Sequence, residues 1–453
     1  MNIELTREYV AELQALIEAK DERSALQMME NLHPADIAEI YNELQIEEAR
    51  YLYLLLDPET ASDVLVEMEE DDREQFLKVL PPEVIASQFI YHMDSDDAAD
   101  VIGDLSEDKK QEVLLHIDDV EQAGDIVDLL SYDEDTAGGL MAKELIQVNE
   151  NWGVTTCLRE MRKQAEEIDE IYYIYVVDDD NKLKGILSLK ALLLANSDTL
   201  IRDIYDSDVQ SVSTDTPSEQ VAQIMEKYDL VVLPVVDSIG RLMGRITIDD
   251  VVDVIRDEAE KDYQMASGIS EDVETTDSPI RLSRARLPWL IIGLLGGIFV
   301  AAVIGRFESD LKINPEMAFF IPLIGAMAGN VGIQSSAIIV QGLASNSLGL
   351  ESTFRKLIKE FLVALMNGLI LSTLLFAYNF FLSDSLALTY TVSISLFVVI
   401  IFAALFGTLI PLVLNKVKFD PALATGPFIT TMNDIMGLVI YFMMGRILYD
   451  MMI

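Results

Sequence analysis

Residues 430–441 read TTMNDIMGLVIY and set an acid, Asp434, in the middle of the apolar run 421–445. A helix needs about 20 apolar residues to cross a hydrocarbon core, and a charge at its centre costs a few kcal/mol unless a partner or water meets it. The nearest basic residue on this run is Arg446, twelve positions on, or ~18 Å along a helix axis. Other basic residues fall in loops or at the ends of apolar runs. Either the carboxyl is protonated, as in a proton relay, or a mobile cation visits it. Pro427, Thr430, Thr431, Gly437 and Tyr441 share the polar or small face of Asp434, with Asn433 adjacent. Pro427 is expected to free a carbonyl one turn before the acid, because proline cannot donate to its i−4 partner.

Five apolar runs, approximately 288–305, 316–341, 354–380, 390–414 and 422–448, are long enough to span a bilayer. Arg281, Arg284 and Arg286 precede the first, Arg355, Lys356 and Lys359 follow the second, and Lys416 and Lys418 follow the fourth. The positive-inside rule puts those ends in the cytoplasm, which leaves the C-terminus outside. The second run carries Gly325, Gly329, Gly332 and Ser336 on one face, a stripe along which helices approach closely. Beside it lie the amides Asn330, Gln334 and Gln341, either glue between helices or part of a polar path.

The histidines, His33, His92 and His116, and the single cysteine, Cys157, all precede the apolar runs. A membrane site here has oxygen ligands only, which disfavours zinc and copper. Mg²⁺ fits because it dehydrates reluctantly and is commonly held through waters by one or two carboxylates. Ligand chemistry by itself stops at a hard cation.

The charge is divided unevenly. Residues 281–453 carry 11 basic and 9 acidic side chains, which leaves 21 basic and 68 acidic in residues 1–280, a net of about −47. Such a density of like charge opposes compaction unless cations sit among the carboxylates. No nucleic-acid partner is expected. The N-terminus, MNIELTREYVAELQ, lacks a signal-peptide pattern, so the acidic half reads as cytoplasmic. No nucleophile, base and oxyanion arrangement can be assembled, and no enzyme activity is expected.

Within that half, residues 171–195, IYYIYVVDDDNKLKGILSLKALLLA, align without gaps on 230–254, LVVLPVVDSIGRLMGRITIDDVVDV. Each copy reads as strand, turn, strand and helix, and the pair resembles tandem cystathionine-beta-synthase (CBS) modules. The resemblance implies adenosine-nucleotide binding through a Thr or Ser followed three residues later by Asp. The second module has Thr247 and Asp250, while the first has Ser188 but Ala191, so ATP is a candidate ligand at one site. Before the modules, HPADIAEIYNEL, DPETASDVLVEM, PPEVIASQFIYHM and DSDDAADVIGDL open on helix-start signals and predict a stack of short helices.

Taken in order, these parts resemble the MgtE family of bacterial magnesium channels, most specifically in GNVGIQ (329–334) and DPALATGPFITTMNDIMGL (420–438). The resemblance divides the chain into a superhelical acidic N domain (1–131), α/β CBS modules (132–198 and 199–257), a plug helix and linker (258–284) and five transmembrane helices (285–453). It implies a homodimer in the bacterial inner membrane, with a Mg²⁺ pore on the two-fold axis and closure by cytoplasmic Mg²⁺. The pore set is then Asp434, Thr430, Thr431, Asn433, Asn330 and Gln334. The matching regulatory acids are Asp94, Asp96, Asp97, Asp100, Glu219, Asp229, Asp250, Asp253, Glu258, Asp262 and Asp420. Two regulatory acids of other members are Pro217 and Lys261 here, and Gly426 stands where some carry an amide. A lysine at the plug offers a built-in substitute for one ion.

Overall fold

The computed structural model describes residues 6–452 except 31, 42, 167, 169–170, 271–272, 274–276, 345–352, 384, 420 and 422–425. The chain forms two compact units, Met1–Arg256 and Asp257–Ile453.

The first unit begins with short helices: α1 (Arg7–Ala19), α2 (Glu22–Met29), α3 (Pro34–Tyr41), α4 (Ile46–Tyr53), α5 (Pro58–Val66), α6 (Glu70–Lys78), α7 (Pro82–Val84), α8 (Ser95–Gly103), α9 (Glu107–Leu114) and α10 (Val120–Leu129). Their starts follow local chemistry. Asp57 accepts from the Thr60 amide at 3.1 Å ahead of Pro58, and Asp119 accepts from Glu121 at 2.8 Å, satisfying amides that lack helical partners. Helices pack on near neighbours in the chain, α1 on α2 and α4, α3 on α5, and α8 on α10, as a superhelical stack requires. Phe76 meets Tyr53 and Phe89 edge-on at 5.3 and 6.1 Å in the core. One expected helix is irregular: after α7, residues Ile85–Phe89 form a π turn. There Ser87 donates to the Glu83 carbonyl, and the Phe89 carbonyl accepts from Ser62 of α5.

The two modules follow as sheets β1 (Ile146–Asn149), β2 (Ile174–Val177), β3 (Leu183–Leu187) and β4 (Val212–Ser213), β5 (Val232–Val236), β6 (Leu242–Thr247). In each, the first pair is parallel and the second antiparallel. Helices α11 (Val154–Gln164), α12 (Leu189–Leu194), α13 (Ser218–Tyr228) and α14 (Ile248–Ala266) complete them. The aligned repeats meet at equivalent residues: Leu183 N donates to Gly240 O and Leu242 N to Asn181 O, both at 3.0 Å. The segment 136–142 pairs with the second module, although the boundary at 131/132 allots it to the first. Ala137 N reaches Thr216 O at 2.7 Å, and Ala142 exchanges bonds with Arg245 at 2.8 and 2.9 Å. Gly244 is required there, since a Cβ would stand 2.6 Å from Ala142 O.

Among the described residues, the second unit holds five helices long and apolar enough to cross a membrane. They are α15 (Pro279–Arg306), α17 (Ile321–Ala344, entered through the 3-10 turn Pro315–Phe320), α18 (Thr353–Leu382), α19 (Leu386–Lys416) and α20 (Pro427–Met452), with α16 (Glu308–Ile313) outside the set. The first runs well ahead of its apolar segment, because Ser278 caps it, accepting from Arg281 N at 3.4 Å, and Pro279 opens it. Helix α19 is central, packed on α17, α18 and α20, with Val399, Ile400, Ala403 and Ala404 buried. Outward faces of α15 and α18 stay apolar, including Leu294, Phe299, Leu374 and Phe381, as suits helices whose solvent is hydrocarbon.

Two expectations about the last span are corrected. Helix α20 starts at Pro427, so Asp434 lies about two turns, ~10 Å, from the start instead of at the centre. Proline at the first helical position also frees no intrahelical carbonyl. The cause is Gly426, whose φ of +58° is outside helical geometry and where a Cβ would collide with the Ala266 carbonyl.

Candidate functional site

In the membrane unit the stripe of small residues on α17 is the seat of α20. A Cβ at Gly329 would lie 3.0 Å from Thr430 Cγ2 and 3.3 Å from Asp434 Oδ1, and one at Gly325 would lie 3.8 Å from the same oxygen. Asp434 is half-buried, and its Oδ1 has no hydrogen-bond partner among the described residues. The Thr430 hydroxyl donates to Gly426 O at 2.8 Å, and its methyl lies toward Gly329. On the α17 side the acid thus borders Gly325 and Gly329, positions without side chains.

The other expected pore residues point elsewhere within one chain. Thr431 turns to α15, filling the notch at Gly296. Asn433 is fully buried against Gly332, with neither polar side-chain atom bonded among the described residues. Asn330 and Gln334 are exposed. At about 100° per residue they lie roughly 140° and 180° around α17 from Gly325. They belong to a surface that no other described residue of the chain covers.

In the first unit, acids gather where α8 meets the start of α14. Asp94, Asp96 and Glu144 bring one carboxylate oxygen each to within 4.8 Å of one another. Around an octahedral Mg²⁺ with bonds of about 2.0–2.1 Å, opposite oxygens are about 4 Å apart, so the triad fits one cation with little adjustment. Glu144 was not singled out by sequence. Its carboxylate accepts from Ser95 N and Oγ at 3.1 and 2.8 Å, and the helix-start signal at Ser95 gave no hint of a partner 49 residues on.

Burial, then the neighbouring acids Asp97 and Asp250, holds the Asp96 carboxyl well above its ordinary range. Asp97 is pushed up to about 7 by burial, then by Asp250, and Asp250 to about 6 by burial, against a favourable bond from Thr247. The Asp100 carboxyl is likewise pushed up to about 7, burial outweighing Arg73, although much of the residue's surface is open to water. Two guanidinium groups offset part of this charge: Arg73 bonds Asp104 at 2.7 Å, and buried Arg245 stands 3.7 Å from Asp94. Several carboxylates remain that a divalent ion would neutralise.

The remaining regulatory acids are dispersed. Glu219 and Asp229 stand exposed at opposite ends of α13. Asp253 faces Arg256 at 3.4 Å. Farther along α14, Glu258 is 3.3 Å from Lys261, and Asp262 is half-buried. Asp420 lies outside the described residues. Thr247 Oγ1 donates to Asp250 Oδ2 at 2.6 Å, which forms the Thr–Asp pair of the nucleotide motif and also starts α14.

Similarity to known proteins extends over nearly all of the chain. A model described as a divalent cation transporter, MgtE, matches residues 321–444, the MgtE intracellular N domain matches 32–135, and CBS domains match 137–198 and 201–257. The chain is 35% identical to a magnesium transporter MgtE of Thermus thermophilus over 442 residues, covering 97% of this chain and 98% of the relative. To one of Enterococcus faecalis it is 37% identical over 413 residues, covering 91% and 90%. Among solved structures it resembles the cytosolic domain of the Mg²⁺ channel MgtE in complex with ATP, at 36% identity and a TM-score of 0.51, over 54% of this chain and 99% of that one.

Proposed function

The chain belongs to the MgtE family of magnesium transporters, and on that premise we propose that it is a homodimeric Mg²⁺ channel closed by cytoplasmic Mg²⁺. The observation that carries the pore assignment is Asp434, whose Oδ1 faces a glycine wall with no bonding partner among the described residues. A hydrated cation supplies the missing charge, and its waters reach oxygens that lie too far away to ligate directly. Thr430 contributes from the turn before. Asn330 and Gln334, exposed in one protomer, line the path once a second copy faces them. Thr431 and Asn433 act as buttresses that fix the azimuth of α20 against α15 and α17.

Closure follows from linkage. Ions that bind the closed arrangement better stabilise it by that difference, and the buried acids around Asp96, Asp97 and Asp250 are the groups that gain most from a cation. The triad Asp94, Asp96 and Glu144 is the regulatory site with the best-formed ligand set. ATP is the proposed nucleotide of the CBS pair, because the related cytosolic domain was solved with it and Thr247 and Asp250 are already paired here. By the distribution of basic residues, the first unit faces the cytoplasm and the C-terminus lies outside.

The test is flux through the full-length protein in liposomes. Mg²⁺ currents driven by voltage alone, with no proton or Na⁺ gradient, and abolished in Asp434→Asn, are expected. Flux that needs a proton gradient would assign the protein to coupled transport, and undiminished flux in Asp434→Asn would remove the pore assignment.

A further inference from the structure

The connection between the first two spans folds back onto the far end of α20. Tyr441, fully buried, donates to the Met317 carbonyl at 2.9 Å. Phe442 stacks on Phe307, where α15 ends, with ring centroids 4.9 Å apart. Gly445 makes room for the end of the Met317 side chain, which a Cβ there would strike. One residue on, Arg446 stands 3.6 Å from Asp310 Oδ2 of α16. That oxygen is buried and has no hydrogen-bond partner among the described residues, so the guanidinium supplies the charge that offsets it.

These contacts bear on the acid two turns away. Tyr441 follows Asp434 by seven residues, ~10 Å along α20 and about 20° short of two full turns, so the two side chains leave the helix in nearly the same direction. Both meet the same neighbour: Tyr441 at the entry to α17, Asp434 at Gly325 and Gly329. The glycines carry no side chain that would stop α20 from turning. A hydrogen bond to a main-chain carbonyl is directional, and in hydrocarbon no water replaces it once lost.

We propose that Tyr441 and the Arg446–Asp310 pair are positioning elements of the ion path, which fix the rotation of α20 so that Asp434 faces Gly325 and Gly329. The inference rests on Asp434 as the ion-binding group and adds that its aim is set from the outer end of the helix.

Currents of the full-length protein in planar bilayers, with Mg²⁺ varied on each side in turn, test it. Tyr441→Phe keeps the ring and loses the bond, and should raise the half-saturating external Mg²⁺ by about threefold to tenfold, the effect of one buried hydrogen bond. The internal Mg²⁺ giving half-closure should move by less than about twofold. Asp310→Arg and Arg446→Asp should each shift permeation the same way, and the two together should restore it by remaking the pair. Unchanged permeation in Tyr441→Phe, or an equal shift of both curves as general loosening would give, would overturn the proposal. So would a charge swap no better than its single variants. Should Tyr441→Phe or the swap fail to fold, the other decides. Asp434→Asn keeps the two readings apart: flux abolished there, with Tyr441→Phe behaving as the unaltered protein, defeats the positioning role and spares the pore, whereas undiminished flux in Asp434→Asn removes the pore itself.

Discussion

Asp434 Oδ1 lies 3.3 Å from the point where a side chain at Gly329 would begin, so the acid and the glycine form a single contact between α20 and α17. Gly329→Ala must move either the carboxylate or Thr430, whose methyl is 3.0 Å from the same point. Overpacking of this kind costs roughly 1–3 kcal/mol. Mg²⁺ flux should fall by about tenfold or more, while Gly325→Ala, with 3.8 Å available, keeps flux within about twofold. Liposome flux of the two variants side by side checks the assignment, and equal behaviour would count against it.

Removing one ligand of the cytoplasmic triad should weaken closure. Glu144→Gln keeps a group able to bond Ser95 but removes the charge, so the internal Mg²⁺ giving half-closure should rise by about tenfold, equivalent to about 1.4 kcal/mol. Asp253→Asn, at an acid already paired with Arg256, should shift it less. Patch recordings over a range of internal Mg²⁺ separate the two, and an unmoved curve for Glu144→Gln would exclude it from regulation.

The pH dependence near α8 runs opposite to that of an ordinary ion-paired carboxylate. Asp97 and Asp250 have folded values of about 7 and 6 against 3.8 for the free group. Between those values the folded state holds more protons than the unfolded one, so its stability falls as pH rises from about 4 through about 7. Without divalent cations, amide exchange in α8 of the full-length protein should be faster at pH 8 than at pH 5.5 after correction for intrinsic rates. Saturating Mg²⁺ should reduce the difference by taking the place of the protons. Equal protection at both pH values would contradict the burial argument.

Lys261 stands 3.3 Å from Glu258 on α14 and acts as a fixed cation there. The pair is largely exposed, so Lys261→Gln should cost the fold less than about 1 kcal/mol. It should instead leave Glu258 for a mobile ion, giving a steeper Mg²⁺ dependence of closure and more opening at low Mg²⁺. Open probability at zero and saturating internal Mg²⁺ measures this, and an unchanged slope would rule out the substitution of lysine for an ion.

Much of this molecule was legible in its residues because the signals were local. The five spans rest on runs of hydropathy, the repeated module on 25 aligned residues, and most helix starts on caps such as Asp57 with Pro58. The notable local error was the start of α20, where the positive φ of Gly426 ended a helix that apolar residues alone would have extended. Asp434 stood out because a mid-run acid is costly wherever its neighbours lie.

The sequence by itself determined the order of domains, the family, and which residue types were available to hold a hard cation. Only the tertiary structure decided which of them meet: Gly329 with Asp434, Thr431 with Gly296, and Glu144 with Asp94 and Asp96 across the joint between the N domain and the CBS modules. The physical reason is that a helix's spacing fixes the angles among its own side chains, while its rotation and register against a neighbour come from packing of distant residues. A one-dimensional pattern carries the first and leaves the second free.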